Sequence, residues 1–543
     1  MVNGDLLWGK EITADMIKKN ITDTEAVLTF PNLSHNLYQS MEKTAMNFPQ
    51  KTALVNDAGV SCTYGELLKR CEKLAAYLYF QKGIKKGMHV GILMHNTIEY
   101  CTAFLSLSRL GAVVISLPSK FKQAEILALA KKAQMEFLIC EKEYVSWFQN
   151  AIEQKNILKA SEKESEYGFE KLYKKDKAAE EDIKKLMNVS GGHEQDPFII
   201  MFTSGTTSQS KGVLLKNYQV MHAIETYRRI LHITEKDVSV VATPIYHITG
   251  LVALLGVFLT VGGTLYLHKI FQAKRVIEDA RKYGYTFIHA SPTVFQLMLQ
   301  EGEGTPEIPT LRSLACGSGN MSKDKMIRLH KWLPNSVFHT VYGLTETSSP
   351  GTIFPGDAAG SKYIGSSGWV IPGMFLKIVD EDEQELSDGT VGEILVKGCN
   401  VLEGYYGQDK LSDGWLHTGD LGYINQEQYL FVVDRKKDMI NRGGEKIWCY
   451  DVENEIDTME EVQNCAVVGI PDELYGEVAA ALVEVKKGRS LTSTQIQEYL
   501  KTRIAKYKIP VKIKIVDEIP NTRNGKQDKN AVRMLLAKEE EDD

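Results

Sequence analysis

The sequence predicts an α/β protein: a large N-terminal domain of βα-layered sheets plus a small β unit, followed by a small α+β C-terminal domain. Three observations lead there. Apolar runs of strand length alternate with helix-period stretches over residues 53–300, the pattern of parallel sheets covered by helices. From about Ile378 the texture changes to short strands and turns, as in an antiparallel or barrel-like unit. Finally, Phe431-Val432-Val433 runs into the charged stretch Asp434-Arg435-Lys436-Lys437-Asp438, which marks a boundary between residues 1–436 and 437–543.

Each element has a local reason. A short strand at 53–60 precedes Thr63, which can cap a helix with Glu66 three residues on. The helix 66–81 repeats apolar Leu67, Leu68, Cys71, Leu74, Ala75 and Leu78 and ends at Gly83. Strands at 89–94 and 113–117 then alternate with helices at 97–110 and 124–133. The Lys- and Glu-rich stretch 155–196 reads as a solvated helix and connector. Past residue 217 the alternation resumes, with helices at 218–231, 275–283 and 292–300 and strands at 238–243 and 286–290. Beyond the charged run, helices at 452–459 and 494–504 and strands at 463–470, 477–485 and 511–516 complete the C-terminal unit, and the acidic tail 539–543 is expected to be disordered.

Composition narrows the function classes. With 43% hydrophobic and 25% charged residues the 543-residue chain is globular, and its net charge of −6 argues against an extended nucleic-acid surface. The eight cysteines contain no C-x-x-C pair, so neither a zinc cage nor a disulfide framework is expected. The N-terminus lacks the apolar core of a signal peptide. Residues 248–267 carry no charge over the length of a spanning helix. Their glycines and threonines, with the Gly262-Gly263 turn signal, favour a buried helix followed by a strand at 264–267. A cytoplasmic protein with no integral membrane segment is the expectation.

One stretch organises the chemistry. The apolar run Ile199-Ile200-Met201-Phe202 stops in Thr203-Ser204-Gly205-Thr206-Thr207 and ends at Lys211-Gly212. Small residues let backbone N–H groups approach an anion, the hydroxyls add donors, and the lysine adds charge. A P-loop would need glycine before the lysine and Ser or Thr after it, whereas Ser210 and Gly212 stand there. By itself the stretch could also be a polar surface loop, the less favoured of the two readings.

Further islands lie where βα units end, the place at which α/β proteins put ligands. Tyr342-Gly343-Leu344-Thr345-Glu346 offers an aromatic ring, a hydroxyl and a carboxylate that could stack on a base, bond a phosphate and hold Mg²⁺. Asp420, after Gly419, could accept from two ribose hydroxyls, although an Asp after Gly is also a common turn residue. Lys526 ends the near-terminal loop Pro520-Asn521-Thr522-Arg523-Asn524-Gly525-Lys526, where a lysine is usually just solvated.

Together these islands resemble the adenylate-forming (AMP-binding) superfamily, which holds acyl- and aryl-CoA synthetases, peptide-synthetase adenylation domains and firefly luciferase. The resemblance runs from about Leu37 to Met534. Thr203 to Gly212 is similar to the family's phosphate loop, with Ser208 and Ser210 replacing a glycine and a proline. Pro244-Ile245-Tyr246-His247-Ile248-Thr249-Gly250 resembles the segment whose histidine lines the acyl pocket and gates the thiol channel. Gly317-Ser318-Gly319-Asn320 stands where the family has the strip beside adenine. The resemblance implies that Tyr342 and Gly343 flank adenine, Thr345 bonds phosphate, Glu346 binds Mg²⁺, Asp420 takes the ribose and Arg435 assists there. It further implies a hinge at Lys437, a thioester loop at Gly443, Gly444 and Lys446, with Cys449 in place of a proline, and Lys526 as catalytic lysine on a mobile C-terminal domain.

The implied function is ATP-dependent activation of a carboxylic acid to an acyl-adenylate, then transfer to CoA, with ATP, Mg²⁺ and CoA required. No charged residue stands out among Tyr246, His247, Thr249, Gly250 and Thr347-Ser348-Ser349, so a fatty or aryl acid is expected over an amino acid. Two other readings compete: a freestanding enzyme loading the pantetheine of an acyl carrier protein, and a nucleotide-binding protein without catalysis on the same fold. Among the enzyme readings a luciferase-like oxidation is less expected. Oligomeric state is not read from the sequence.

Overall fold

The computed structural model describes residues 1–21, 26–160, 169, 177–203, 210–522 and 526–537, with residues 177–179 in backbone only. Two large sheets carry the N-terminal part. The six-stranded sheet has the order Gly212–Lys216, Pro197–Phe202, Val113–Ser116, His89–Leu93, Phe137–Glu141, Ile157–Ala160, parallel except at the first pair. The nine-stranded sheet is parallel from Val337–Tyr342 through Ser313–Cys316, Phe287–Ala290, Val238–Val241 and Thr264–Leu267 to Thr52–Asn56, with antiparallel strands at both edges.

Between the sheets lies the main core. Val90, Val114 and Ile199 of one sheet and Phe287, Ala315 and Val341 of the other belong to one apolar cluster, bridged by the helices Ile98–Leu110 and Asn217–Ile230. Fully buried rings such as Phe104 and Phe258 each contribute about 1.5–3 kcal/mol by leaving water. The expected capping box forms: Thr63 N–H donates to Glu66 at 2.8 Å, and Glu66 N–H donates to the Thr63 hydroxyl at 3.2 Å.

The β unit is a five-stranded antiparallel sheet, Val2–Asn3, Met374–Val379, Gly392–Gly398, Leu416–Ile424, Leu430–Arg435. The C-terminal unit pairs Val462–Asp472 with Gly476–Val485, adds Lys512–Val516 in parallel, and packs the helices Cys449–Asp457 and Ser493–Lys501 on a core of its own. It meets the larger part through a salt bridge from Lys325 to Asp457 at 3.0 Å and a hydrogen bond from the Tyr450 hydroxyl to the Met321 carbonyl at 2.9 Å.

Four local readings change. The stretch after Lys211 does not pass straight into a helix: Gly212–Lys216 turns back as a strand antiparallel to Pro197–Phe202, so the organising loop is a hairpin. The solvated connector includes a real strand, Ile157–Ala160, that extends the sheet edge. The helix read over 66–81 is α-helical only over Tyr64–Ala76 and continues as a π-helix over Tyr77–Gln81. The uncharged stretch is a buried helix and strand as expected, but its first part, Thr249–Gly256, is also π-helical. Among the described residues no helix is long and apolar enough to cross a membrane. The acidic tail lies outside the described residues.

The amino-terminal edge of the large sheet, opposite the site described below, is clamped by one buried carboxylate. Asp237 accepts from Arg312 Nε and Nη2 at 2.9 Å each, from the Thr286 hydroxyl at 2.7 Å and from Thr234 N–H at 2.8 Å. Arg312→Ala should therefore lower stability by on the order of 2–4 kcal/mol, since a buried carboxylate loses its cation and keeps only the donors from Thr286 and Thr234. Thermal unfolding reads the loss, while kcat and KM of the folded enzyme stay unchanged; an unmoved melting temperature would show the clamp to be idle.

Candidate active site

The phosphate-type loop closes between two buried strands. Thr203 N–H donates to the Lys211 carbonyl at 3.2 Å, and Ser210 is buried at the base with its carbonyl accepting from the Lys132 ammonium. Lys211 is exposed and its Nζ lies 4.6 Å from the centre of the Tyr405 ring. Ser204, Gly205, Thr206 and Thr207 of the expected set, with Ser208, lie outside the described residues.

The other islands gather at the carboxyl edge of the nine-stranded sheet, where adjacent parallel strands release their chains. Gly317, Ser318 and Gly319 follow Ser313–Cys316, and a Cβ on Gly317 would stand 3.2 Å from the Val341 carbonyl of the next strand. Ser318 takes a left-handed backbone, φ 70°. One strand over, Tyr342 ends Val337–Tyr342, and Gly343 follows where a Cβ would fall 1.5 Å from the Ser349 carbonyl, so only glycine fits. Thr345 and Glu346 then enter a short 3₁₀ turn, Thr345–Thr347.

Glu346 accepts from the Tyr405 hydroxyl at 3.1 Å, and its backbone carbonyl accepts from Leu402 N–H at 2.8 Å. Burial raises its carboxyl above the ordinary range, with Tyr405 and Arg435 opposing. The Glu346 carboxylate and Thr345 hydroxyl are hard oxygen donors, the set that Mg²⁺ prefers.

Asp420 sits within the strand Leu416–Ile424, not at a turn, and is 4% exposed. Its register partner on the neighbouring strand is Arg435. Arg435 Nε lies 3.3 Å from Asp420 Oδ1, and the Tyr342 hydroxyl donates to Asp420 Oδ2 at 2.9 Å. The three residues expected around a nucleoside are thus joined to one another. Lys526 arrives from the C-terminal unit, accessible to water yet ringed by protein atoms, as in a cleft. Burial and the Arg435 charge hold its ammonium below the ordinary lysine value, while Asp420 and Glu346 raise it.

Tyr246 and His247 form the turn into the π-helical segment, their rings 4.7 Å apart, with Thr249 and Gly250 buried in its first turn. Burial, followed by the charges of Lys526 and Lys120, pushes the His247 imidazole down to about 3, so it is neutral at physiological pH.

Lys437 is exposed in the turn between Leu430–Arg435 and Ile440–Arg442. The expected thioester loop is a two-residue hairpin: Gly443 and Gly444 have φ 59° and 97°, and Arg442 pairs with Glu445. Two positive φ values in such a turn are what a Gly-Gly pair supplies. Gly443 N–H donates to the Tyr475 carbonyl at 2.8 Å, and exposed Lys446 pairs with Asn441. Cys449 N–H donates to Asp434 at 2.8 Å, a bond the usual proline could not make.

Sequence reading missed Tyr405, which touches both Glu346 and Lys211. Its only local signal is Gly404-Tyr405-Tyr406, which carries no motif by itself.

The chain is similar to known proteins. The chain is 29% identical over 504 residues to an oxalate–CoA ligase of Arabidopsis thaliana, covering 91% of this chain and 97% of that protein. It is 30% identical over 499 residues to a feruloyl-CoA synthase of an Amycolatopsis species, covering 89% and 96%. Its structure resembles the o-succinylbenzoate CoA synthetase of Bacillus subtilis in complex with ATP and magnesium ion, with TM-score 0.76, 25% identity and coverage of 93% and 100%. A cleft that receives a lysine from a separate C-terminal unit, among such relatives, is that of an ATP-dependent, AMP-forming acid–thiol ligase. The chain belongs to the AMP-binding enzyme family, which it matches over residues 41–406, with the C-terminal domain of that family over residues 451–526.

The charge cluster makes a direct prediction. In the ligand-free protein the Lys526 ammonium should titrate below 10.5, and Glu346→Gln should lower it further by removing an anion that raises it. The NMR titration of isotopically dimethylated lysines, assigned through Lys526→Arg, checks this; a Lys526 resonance titrating with the surface lysines would place it outside the cleft.

Proposed function

We propose that this chain converts a fatty or aryl acid, ATP and CoA into acyl-CoA, AMP and pyrophosphate, with the work divided between residues 1–436 and 437–543. The observation that carries this is Lys526, from the second part, sharing a cleft with Asp420, Arg435 and Glu346 of the first.

In the first half-reaction a carboxylate oxygen of the acid bonds to the α-phosphorus of ATP while the bond from that phosphorus to the bridging oxygen breaks, releasing pyrophosphate. Negative charge accumulates on the phosphates, so the reaction favours cations fixed in advance. Lys526 and Arg435 hold charge at the α-phosphate side, and Lys211 with the hairpin of residues 203–211 holds the departing pyrophosphate. Asp420 accepts from the ribose hydroxyls, held in place by Tyr342 and Arg435, and Tyr342, Gly343 and the Gly317-Ser318-Gly319 strip flank the base. Mg²⁺, when bound at Glu346 and supported by Thr345, neutralises phosphate charge.

In the second half-reaction a thiol sulfur attacks the acyl carbon, the bond to AMP breaks, and the thiol proton leaves to solvent. None of the chain's own cysteines competes for this step, because all eight are buried. A turn at Lys437 withdraws Lys526 and brings the Gly443-Gly444 hairpin, with Lys446 beside it, toward the acyl-adenylate, and neutral His247 stands at the channel mouth. CoA is the acceptor favoured by the named ligases the chain resembles; a carrier-protein pantetheine is the alternative, and thioester formation from free CoA separates the two. Buried free thiols suit a reducing compartment, which supports a cytoplasmic location.

Lys526→Ala should cut ATP–pyrophosphate exchange by about 10²–10³-fold or more, the usual cost of losing a fixed transition-state charge, and largely spare thioester formation from supplied acyl-adenylate. Equal loss in both assays would refute the division of labour. Lys437→Pro should leave exchange intact and stall only thioester formation, measured as CoA-dependent release of AMP; unchanged overall turnover counts against the hinge.

A further inference from the structure

One buried carboxylate spans the proposed pivot at Lys437. Asp434 lies near the end of the strand Leu430–Arg435, before the pivot, and its side chain is 6% exposed. Its Oδ2 accepts from the Cys449 backbone N–H at 2.8 Å, and its Oδ1 accepts from Arg435 N–H at 2.8 Å. Lys529 Nζ lies 3.9 Å from the same Oδ1 and 3.7 Å from Glu453 Oε1. Cys449 and Lys529 both follow the pivot, so Asp434 is joined to the C-terminal unit by a buried hydrogen bond and by a charge.

Each link has a local reason. Cys449 opens the helix Cys449–Asp457, and the first N–H groups of a helix have no partner within it. Trp448, in the capping position, makes no side-chain bond to them, so Asp434 supplies an acceptor and a negative charge to that end from outside the unit. Lys529 opens the helix Lys529–Ala537, three residues after Lys526. Between the two lysines, Gln527 Nε2 donates to the Cys465 carbonyl at 2.8 Å and Asp528 N–H to the Pro520 carbonyl at 2.9 Å. The chain that carries Lys526 therefore has little slack relative to Lys529.

The bonds around the pivot fall into two sets. Arg533 donates to Asp438 at 2.9 Å, and the Cys449 thiol donates to the Asp438 carbonyl at 3.3 Å. All three residues follow Lys437, so these bonds survive a rotation there. The bonds of Asp434 to Cys449 and Lys529 join opposite sides instead. A rotation that withdraws Lys526 carries both partners away from Asp434, and a hydrogen bond is lost within about 1 Å of added separation.

We propose that Asp434 is a positioning residue for the first half-reaction: through Cys449 N–H and Lys529 it holds the C-terminal unit in the orientation that seats Lys526. Its release accompanies the turn to thioester formation. This rests on the acid-activating reading above and adds the contact that biases the two orientations. A contact made in one orientation only shifts the balance toward it by its own free energy.

The experiment compares two rates of the full chain: ATP–pyrophosphate exchange with decanoate and with cinnamate, and thioester formation from the supplied acyl-adenylates. Cys449→Pro removes the N–H, and proline suits the first position of a helix; Cys449→Ala keeps the N–H and is the reference for the lost thiol. Relative to Cys449→Ala, Cys449→Pro should shift the ratio of the rates toward thioester formation by about three- to tenfold. Asp434→Ala should shift it further, and covers the case in which Cys449→Pro does not fold. Asp434→Asn, whose amide oxygen still accepts from Cys449, should shift it less than Asp434→Ala. A merely structural role would lower both rates together. The seat itself is read in ligand-free protein by the dimethyl-lysine titration of Lys526. Cys449→Pro removes no charge, so movement of that titration toward the surface lysines reports departure from the cleft. An unchanged ratio in Cys449→Pro and Asp434→Ala, or a Lys526 titration in Cys449→Pro equal to that in Cys449→Ala, overturns this proposal alone. No exchange by the wild type with either acid overturns the substrate assignment above, and the Lys526 titration then decides this proposal without it.

Discussion

Two like charges held close in a cleft set the terms for the rest of the site. The Arg435 charge disfavours the ammonium of Lys526, which is stabilised there by the carboxylates of Asp420 and Glu346. Those carboxylates are disfavoured by burial and need the cations in turn. The mutual dependence is built into the fold: strand register sets Asp420 opposite Arg435, and Tyr342 reaches across from another sheet to fix the remaining oxygen. A nucleotide entering such a cleft meets charges already oriented and needs little reorganisation from the protein.

Much of this was legible because it lay in local chemistry. The Thr63–Glu66 capping box, Pro292 opening its helix and the alternation of apolar runs are all signals carried by neighbours in the chain. The strand Gly212–Lys216 escaped because its apolar residues sit between a polar loop and a helix, where five residues give too short a pattern to distinguish. Ile157–Ala160 was hidden by the charges around it, and the π-helical turn of Thr249–Gly256 by the lack of any polar face against which a period could be measured. Tyr405 was out of reach for a different reason. Its partner Glu346 is 59 positions away along the chain, so only packing reveals it. The roles of Asp420 and Lys526 came from family resemblance, since a lone Asp after Gly or a lysine near a loop tip says little by itself.

The contact between the two parts of the chain is specific without being strong. Lys325 and Asp457 are both largely buried, at 11% and 9% side-chain exposure, so their attraction is offset by the water each gives up. The Tyr450–Met321 hydrogen bond adds direction. A surface joined this way is released at modest free-energy cost yet returns to one orientation, which suits the proposed withdrawal and return of Lys526.

The π-helical Thr249–Gly256 segment has a consequence for how the wall of the expected acyl pocket can change. A π turn holds one residue more than an α turn. Removing one residue there would close the wide turn to α spacing and leave the turns on either side in phase, so the change in the wall would stay local. For this segment the length of the chain is as much a determinant of shape as the identity of its side chains.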